Sequence, residues 1–172
     1  MASTIEISDA RRSAADCEWI RNVYPLYLHD LSEFDDGYYR LNERGLWEPD
    51  HLSDWLSLGP HQHALLIRAG GARAGFAFVG QAPFEHMAPG LDFRLCELFV
   101  LRALRGRGVG RAAAFAVFDR FRGSWEVEEM RRNEPAVRFW GRDRRVHGRC
   151  RAFREEPSTD GFPRQVFRMC YI

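Results

Sequence analysis

The sequence predicts an α/β (α+β) fold, with residues 1–172 forming a single domain. Three observations predict it. Short apolar runs with strand-like character alternate with segments of helical period in the order β-α-α-β-β-β-α-β-α-β-β, so strands precede and follow helices in one mixed sheet. A chain of 172 residues suits one sizeable core. No internal repeat and no low-complexity linker divides it.

Each element has a local reason. "TIEIS" (4–8) alternates like a short strand, and Ser8 or Asp9 can cap the helix after it. Ile20, Val23, Tyr24 and Tyr27 recur at helical spacing. Pro25 lacks the N–H and clashes with the preceding turn, so this helix is expected to kink there, or to stop and restart with Pro25 in its first turn. "DHLSDWLSL" (50–58) reads as a short amphipathic helix. "HALLIRA" (63–69) and "AGFAFVGQA" (74–82) read as strands joined through "GGAR", whose glycines tolerate the positive φ of a hairpin. "DFRLCELFVL" (92–101) is a longer apolar strand and "VGRAAAFAVFDRF" (109–121) a helix with an apolar face. "WEVEEM" (125–130) is a strand, and "EPAVRFWGR" (134–142) a helix with Pro135 at its start. Two last strands fit "GRCRAFREE" (148–156) and "RQVFRMCYI" (164–172).

Composition excludes several classes of function. A net charge of +1 draws the chain neither to nucleic acid nor to a membrane surface. The N-terminus has no apolar signal region and no run reaches the length of a membrane span, so a cytoplasmic protein with free thiols is expected. All 25 basic residues are arginine, which removes lysine as a catalytic base or Schiff-base former. Cys17, Cys96, Cys150 and Cys170 form no CxxC pair, and His61 and His63 lack a third ligand, so no metal site is expected.

The informative stretch is "LRALRGRGVGRAAAF" (101–115). It joins a buried strand to a helix N-terminus, where unpaired N–H groups carry partial positive charge. Gly106, Gly108 and Gly110 let backbone approach a ligand without Cβ obstruction, and Arg105, Arg107 and Arg111 add charged donors. Together they suit a diphosphate. The Gly-Lys-Ser/Thr ending of the Walker loop is absent, and the GxGxG spacing differs from the dinucleotide fingerprint GxGxxG. An RNA-binding arginine–glycine tract would be repeated, and a plain structural turn is the remaining alternative.

"VLRALRGRGVGRAA" resembles the acetyl-CoA loop of the GNAT superfamily of N-acetyltransferases, Arg/Gln-x-x-Gly-x-Gly/Ala, with Arg105, Gly108 and Gly110 on the pattern. "NEPAVRFWGR" (133–142) resembles the family's Asn-x-x-Ala-x-x-Phe-Tyr helix, matched by Asn133, Ala136 and Phe139. The element order fits the family along nearly the whole chain. The resemblance implies the GNAT fold: a mixed, mostly antiparallel sheet of about seven strands flanked by about four helices. It implies acetyl-CoA as co-substrate and no metal. It also implies that the strand before the loop splays from its neighbour near Val100, that pantetheine pairs with the backbone of Leu98, Phe99 and Val100, and that the diphosphate lies on the amides of Arg105, Gly106, Arg107, Gly108, Val109 and Gly110, with Arg111 adjacent. Asn133 would flank the pantetheine; a plain helix cap is its alternative.

Acetyl transfer needs a base for the ammonium proton, a polarised thioester carbonyl and a proton for the departing thiolate. Glu97, three residues before Val100, sits in an apolar strand that would raise its pKa from about 4.3, which suits a base. Its alternative is an outward face or a pairing with Arg94. The Val100 N–H is placed to contact the oxyanion. Trp140 stands where the family often has Tyr, and indole has no acidic proton to give, which leaves the general acid open. Cys96 is expected on the face opposite Glu97, as a buried small residue.

"YLHDLSEFDDGYYR" (27–40) corresponds to the family's acceptor wall and resembles a bacterial branch with a YLxDLSEF segment. Tyr27, Asp30 and Glu33 there suit a cationic amine, with Asp35 and Asp36 close by; a solvated turn is the alternative. The basic run "GRDRRVHGR" (141–149) is either solvated or near the 3′-phosphate of coenzyme A. The reading is an acetyl-CoA-dependent N-acetyltransferase acting on a small cationic amine by direct attack in a ternary complex, as a monomer or homodimer, with no nucleic-acid or membrane partner. Its rival is a non-catalytic acyl-CoA-binding or sensing module on the same fold.

Overall fold

In the computed structural model, which describes residues 4–57, 59–85, 87–142, 150–157 and 162–169, the chain runs through β1 (Ile5–Asp9), α1 (Ala14–Ser32), β2 (Arg40–Leu41), β3 (Trp47–Glu48), α2 (Leu52–Leu56), β4 (Gln62–Ala69) and β5 (Ala72–Gln81). It continues through β6 (Phe93–Val100), α3 (Val109–Arg120), β7 (Ser124–Glu128), α4 (Glu134–Arg142), β8 (Cys150–Pro157) and β9 (Pro163–Met169). Seven of these strands form one mixed sheet in the order β1-β4-β5-β6-β7-β9-β8. Every neighbouring pair is antiparallel except β6 and β7. The expected order and fold class are present. The two-residue strands β2 and β3 make a separate small hairpin that the sequence does not announce.

Both faces of the sheet are covered. On one side Leu65, Ile67, Val79, Leu95, Trp125 and Phe167 pack against Ala113, Val117 and Phe118 of α3 and Trp140 of α4. On the other, Leu66, Phe76, Phe78 and Phe99 pack against Ile20, Tyr24 and Leu28 of α1 and Trp55 of α2. Alternate residues of β4 and β5 therefore serve different cores, as the period of a strand buried on both faces requires. The β4–β5 turn is a two-residue Gly70–Gly71 loop with φ of 60° and 81°, a conformation for which glycine is suited.

Helix α1 departs from expectation in two ways. Asp9 caps a 3-10 turn over Ala10–Arg12, and Ser13 rather than Ser8 or Asp9 caps α1 itself, its side chain accepting from Asp16 N. The helix also runs unbroken through Pro25. Its buried face is Asp16, Ile20, Tyr24 and Leu28, spaced four apart, while Pro25 and Arg21 lie on the solvent side. The hydrogen bond that proline removes is thus at the wet surface, where water satisfies the released carbonyl.

Asp16 fastens the start of α1 to the β4–β5 hairpin. Its carboxylate accepts from Arg68 at 2.9 and 3.0 Å and from Arg73 at 2.8 and 2.9 Å. Burial alone would raise this carboxyl, but the hydrogen bonds from Arg73 and Arg68 outweigh it and hold the group below its ordinary value. Its contribution to stability is therefore complete above about pH 4 and lost as pH falls through the lowered native value. Asp16→Asn is expected to cost about 2–3 kcal/mol at pH 7, read as a lower urea midpoint. The difference from wild type should shrink as pH drops below about 4, and a constant difference down to pH 2 would contradict this role.

Candidate active site

The parallel pairing of β6 with β7 covers only Phe93–Leu95 against Trp125–Val127. Beyond Leu95, β6 stays with β5 as far as Val100 opposite Gly75, while β7 pairs only with β9. The strands part five residues earlier than the Val100 expected. A bulge accompanies the parting: Phe78 faces Glu97 and Val79 faces Leu95, so Cys96 is the extra residue. The gap opens into a cleft of about 820 Å³. Cys96, Leu98, Phe99 and Val100 line one wall, and Glu128, Glu129 and Met130 the other.

Strand alternation settles which backbone groups face the gap. Leu101 N bonds to Ala74 O at 2.9 Å, so in the alternating ladder the polar groups of Phe99 point to β5 and those of Leu98 and Val100 point away from it. Contact with β5 is close: a Cβ at Gly75 would lie 2.0 Å from the Phe99 carbonyl oxygen.

At the open end of the gap, a 3-10 turn over Arg102–Leu104 leads to the glycine–arginine loop and then α3. Gly106 and Gly108 have φ of 73° and 82°. Gly108 is the residue before the helix, and its carbonyl accepts from Ala112 N at 3.0 Å. No backbone bond to the amides of Gly106, Arg107, Gly108, Val109 or Gly110 occurs among the described residues. Gly110 differs from the other two: it is helical and lines the cleft, and a Cβ there would find Phe139 at 3.7 Å and Val100 at 3.9 Å. The protein itself would tolerate that carbon; the open cleft is what it would narrow. Arg105 does not simply face outward. Its Nε donates to Val100 O at 2.7 Å, and its guanidinium lies 5.4 Å from the Phe99 ring centre. Arg107 and Arg111 are exposed.

Helix α4 closes the side of the cleft. Asn133 lines it and also caps the helix, its Oδ1 accepting from Ala136 N at 3.1 Å. Phe139 stacks edge-on against Trp140 at 4.7 Å, and Trp140, 9% exposed, packs on Phe118. The basic run at 143–149 lies outside the described residues.

Glu97 is turned away from this side. The bulge at Cys96 shifts the alternation, so Glu97 and Cys96 both face α1, contrary to the expected opposition. Tyr24 donates its hydroxyl proton to Glu97 Oε1 at 3.2 Å, and Oε2 is buried with no hydrogen-bond partner among the described residues. Desolvation pushes the carboxyl up to about 8, against the opposing Tyr24 hydrogen bond. Glu97 is not itself a wall residue. It stands behind Tyr27 and Tyr39, which are, and burial followed by the Glu97 charge holds both phenols well above their ordinary value. Desolvation also pushes the Cys96 thiol up to about 12, so it keeps its proton, although the residue is half-buried at the cleft wall rather than fully buried as expected.

The acidic stretch 30–36 divides into separate roles. Asp30 accepts from Arg102 at 2.9 Å and from Arg105 at 2.5 Å, which ties α1 to the glycine–arginine loop. Asp35 accepts from the amides of Gly37 and Tyr39 at 2.6 and 2.8 Å, a turn device. Asp36 pairs with Arg132. Glu33 stays exposed at the cleft rim with no ionic partner among the described residues. Tyr27 lies against Phe76 and Phe99 at 5.6 and 5.9 Å.

Against this geometry, the family model for the GNAT acetyltransferases matches residues 21–144. The chain belongs to the GNAT acetyltransferase family. It is an N-acetyltransferase with acetyl-CoA as co-substrate. Solved structures share the GNAT fold at low identity. An acetyltransferase of Thermus thermophilus is 19% identical, with a TM-score of 0.61 over 98% of this chain and 99% of its own. A histone acetyltransferase HPA2-related protein of Corynebacterium glutamicum is 15% identical, with a TM-score of 0.60 over 100% and 98%. The acetyltransferase yncA of Salmonella typhimurium, solved with acetyl-CoA, is 17% identical, with a TM-score of 0.52 over 99% and 94%. No curated protein matches the chain.

The GNAT cleft here fits an acyl-CoA on its own geometry. The backbone of Leu98 and Val100 faces the split, amides are gathered at the loop, and Gly110 leaves the passage open. Sequence reading missed Glu129, a wall residue 6% exposed. The available signal was its phase: it follows Trp125 and Val127 at a spacing of two, so a carboxylate falls on a core-facing position. Among the described residues no group of three metal-binding side chains occurs, and no helix is long and apolar enough to cross a membrane.

Gly108→Ala is expected to lower stability by about 1–2 kcal/mol through its left-handed backbone. Gly110→Val should leave the melting temperature within a few degrees of wild type yet abolish most of the thermal shift produced by coenzyme A. A Gly110→Val protein stabilised normally by coenzyme A would rule out a cofactor passage beside this helix.

Proposed function

We propose that this GNAT domain transfers an acetyl group from acetyl-CoA to the primary amine of a small cationic acceptor, by direct attack within a ternary complex. The observation that carries the reading is the split between β6 and β7, with the glycine–arginine loop at its open end and a buried carboxylate, Glu97, just beyond its closed end. Leu98, Val100 and Asn133 would hold the pantetheine, and the loop from Arg105 to Arg111 the diphosphate; Phe99, expected to pair with the pantetheine, turns its backbone to β5 instead. The Val100 N–H, at the open end of the split, would pair with the pantetheine rather than reach the thioester oxygen, contrary to the role expected of it.

Glu97 accepts the ammonium proton through water, because the aromatic wall of Tyr27 and Tyr39 separates it from the cleft. With a carboxyl near 8, it is partly ionised at neutral pH and matched to that task. Glu97→Gln should lower kcat by about 10²-fold with little change in acetyl-CoA affinity. The deficit should narrow at high pH, where the free amine forms unaided. Undiminished turnover at every pH would assign Glu97 to structure.

The cationic acceptor is supported by the charges on the cleft wall. Arg94, Arg102, Arg105, Arg132 and Arg138 each pair with a carboxylate, whereas Glu33 has no cation among the described residues. An exposed contact of this kind is worth up to about 1 kcal/mol, so Glu33→Gln should raise the amine KM about two- to fivefold at low salt and less at high salt. A panel of amines in a thiol-release assay tests the class: if acidic or neutral amines are the best acceptors, the cationic assignment is wrong. Asp30 gives the opposite signature. Asp30→Asn releases Arg102 and Arg105, so coenzyme A should bind up to about fivefold tighter by calorimetry. An unchanged coenzyme A affinity with a raised amine KM would instead put Asp30 on the acceptor.

A further inference from the structure

Two carboxylates flank the closed end of the split, each two residues past the last parallel pair, Leu95 and Val127. The bulge turns Glu97 to the α1 face. Glu129 directly follows β7, which carries no bulge; it continues the phase of Trp125 and Val127 and lies beside Gln165, the partner of Val127, so it belongs to the α3 and α4 side. Its amide donates to Pro163 O at 3.1 Å, so its backbone is fixed to the start of β9. The residue is 6% exposed, lines the cleft, and neither carboxylate oxygen has a hydrogen bond of normal geometry among the described residues. A buried carboxyl left without a donor is costly unless it stays protonated or meets a ligand.

The loop that suits the diphosphate stands at the open end of the split. From Val100 back to Leu95 is five residues, roughly 16 Å of strand. An arm laid along the backbone of Leu98 and Val100 therefore brings its sulfur end toward the closed end, where Glu129 forms part of the wall. The position taken by tyrosine in the family pattern holds Trp140, whose indole cannot protonate a thiolate.

We propose that Glu129 is the proton donor to the departing thiolate, an inference that rests on the acetyl-transfer reading above. The amine nitrogen bonds to the carbonyl carbon, the C–S bond breaks with its electron pair passing to sulfur, and the Glu129 carboxyl proton moves to that sulfur. Glu129 is left as a carboxylate and regains a proton from solvent after the thiol leaves. Before attack the ammonium loses one proton on the opposite face, through Glu97, and as the amide forms its nitrogen loses a second to water, which balances the proton that Glu129 regains. Burial, with the Glu155 and Glu128 charges adding to it and the Gln165 side chain opposing, pushes the Glu129 carboxyl up to about 7, so a large fraction carries its proton at neutral pH.

The test is Glu129→Gln, followed by single-turnover transfer and by calorimetry of coenzyme A binding. Single-turnover transfer at pH 7 should fall by about 10²-fold, with acetyl-CoA affinity within about twofold of wild type. The wild-type rate should rise with pH, peak between 7 and 8, where the two carboxyls titrate, and fall beyond; Glu129→Gln should lose the fall and keep the rise. Coenzyme A further desolvates Glu129, so binding at pH 7.5 should take up part of a proton, and Glu129→Gln should take up less. A variant with the wild-type rate and falling limb overturns the proposal. Should the variant fail to fold, a wild-type rate with no falling limb overturns it. Wild-type protein that moves acetyl to no amine defeats the acetyl-transfer reading instead, and equal proton uptake by wild type and variant then removes Glu129 from the sulfur as well.

Discussion

The site depends on one irregularity: β6 cannot satisfy both neighbours along its whole length. The close approach of Gly75 to the Phe99 backbone keeps β6 on β5, where any side chain at position 75 would collide with a carbonyl. The bulge at Cys96 then changes the twist of β6, and β7 departs toward β9. A continuous sheet would have closed the space and paired the backbone of Leu98 and Val100. The same single extra residue puts Glu97 and Glu129 on opposite faces. Without it, two residues at matching distance from the last pair would share one face and repel.

Much of this was legible in the sequence, for identifiable reasons. The loop and both flanking elements were clear because glycine spacing, apolar runs and helix-start signals agree there, and α4 was placed at its observed bounds. The path of α1 through Pro25 was not, because whether a proline is tolerated depends on which side of the helix meets water. The shared facing of Cys96 and Glu97 is hidden in the sequence, because strand alternation puts neighbours on opposite faces and a one-residue bulge leaves no compositional mark. The acidic stretch reads in sequence as either an acceptor wall or a solvated turn. Its partners, Arg102, Arg105 and Arg132, lie at least 70 residues away in sequence, and only the fold assigns them.

The cleft also illustrates a trade between stability and activity. Glu97 and Glu129 are buried without full hydrogen bonding, and their raised carboxyls mean that the folded state resists ionising them. Folding stability is thus weakened as pH climbs from the ordinary carboxylate range toward 7 and 8. Such groups persist in proteins chiefly where a reaction needs them. The chain limits the burden by pairing its other interior charges: Arg94 with Glu126 and Glu128, and Asp16 with two arginines.

Helix α1 carries three of the tethers described above, and they differ in kind. Near its start, Asp16 is locked by two arginines in a nearly dry environment. At its middle, Tyr24 holds Glu97. Near its end, Asp30 reaches Arg102, which is largely open to solvent, and Arg105, which is partly covered. Nineteen residues span about 28 Å, so α1 is a beam clamped at one end and pinned loosely at the other. Tyr24, packed in the core at 2% exposure, stands between the two, eight residues from Asp16 and six from Asp30, so the phenol that holds Glu97 is positioned by the same helix that reaches the loop arginines.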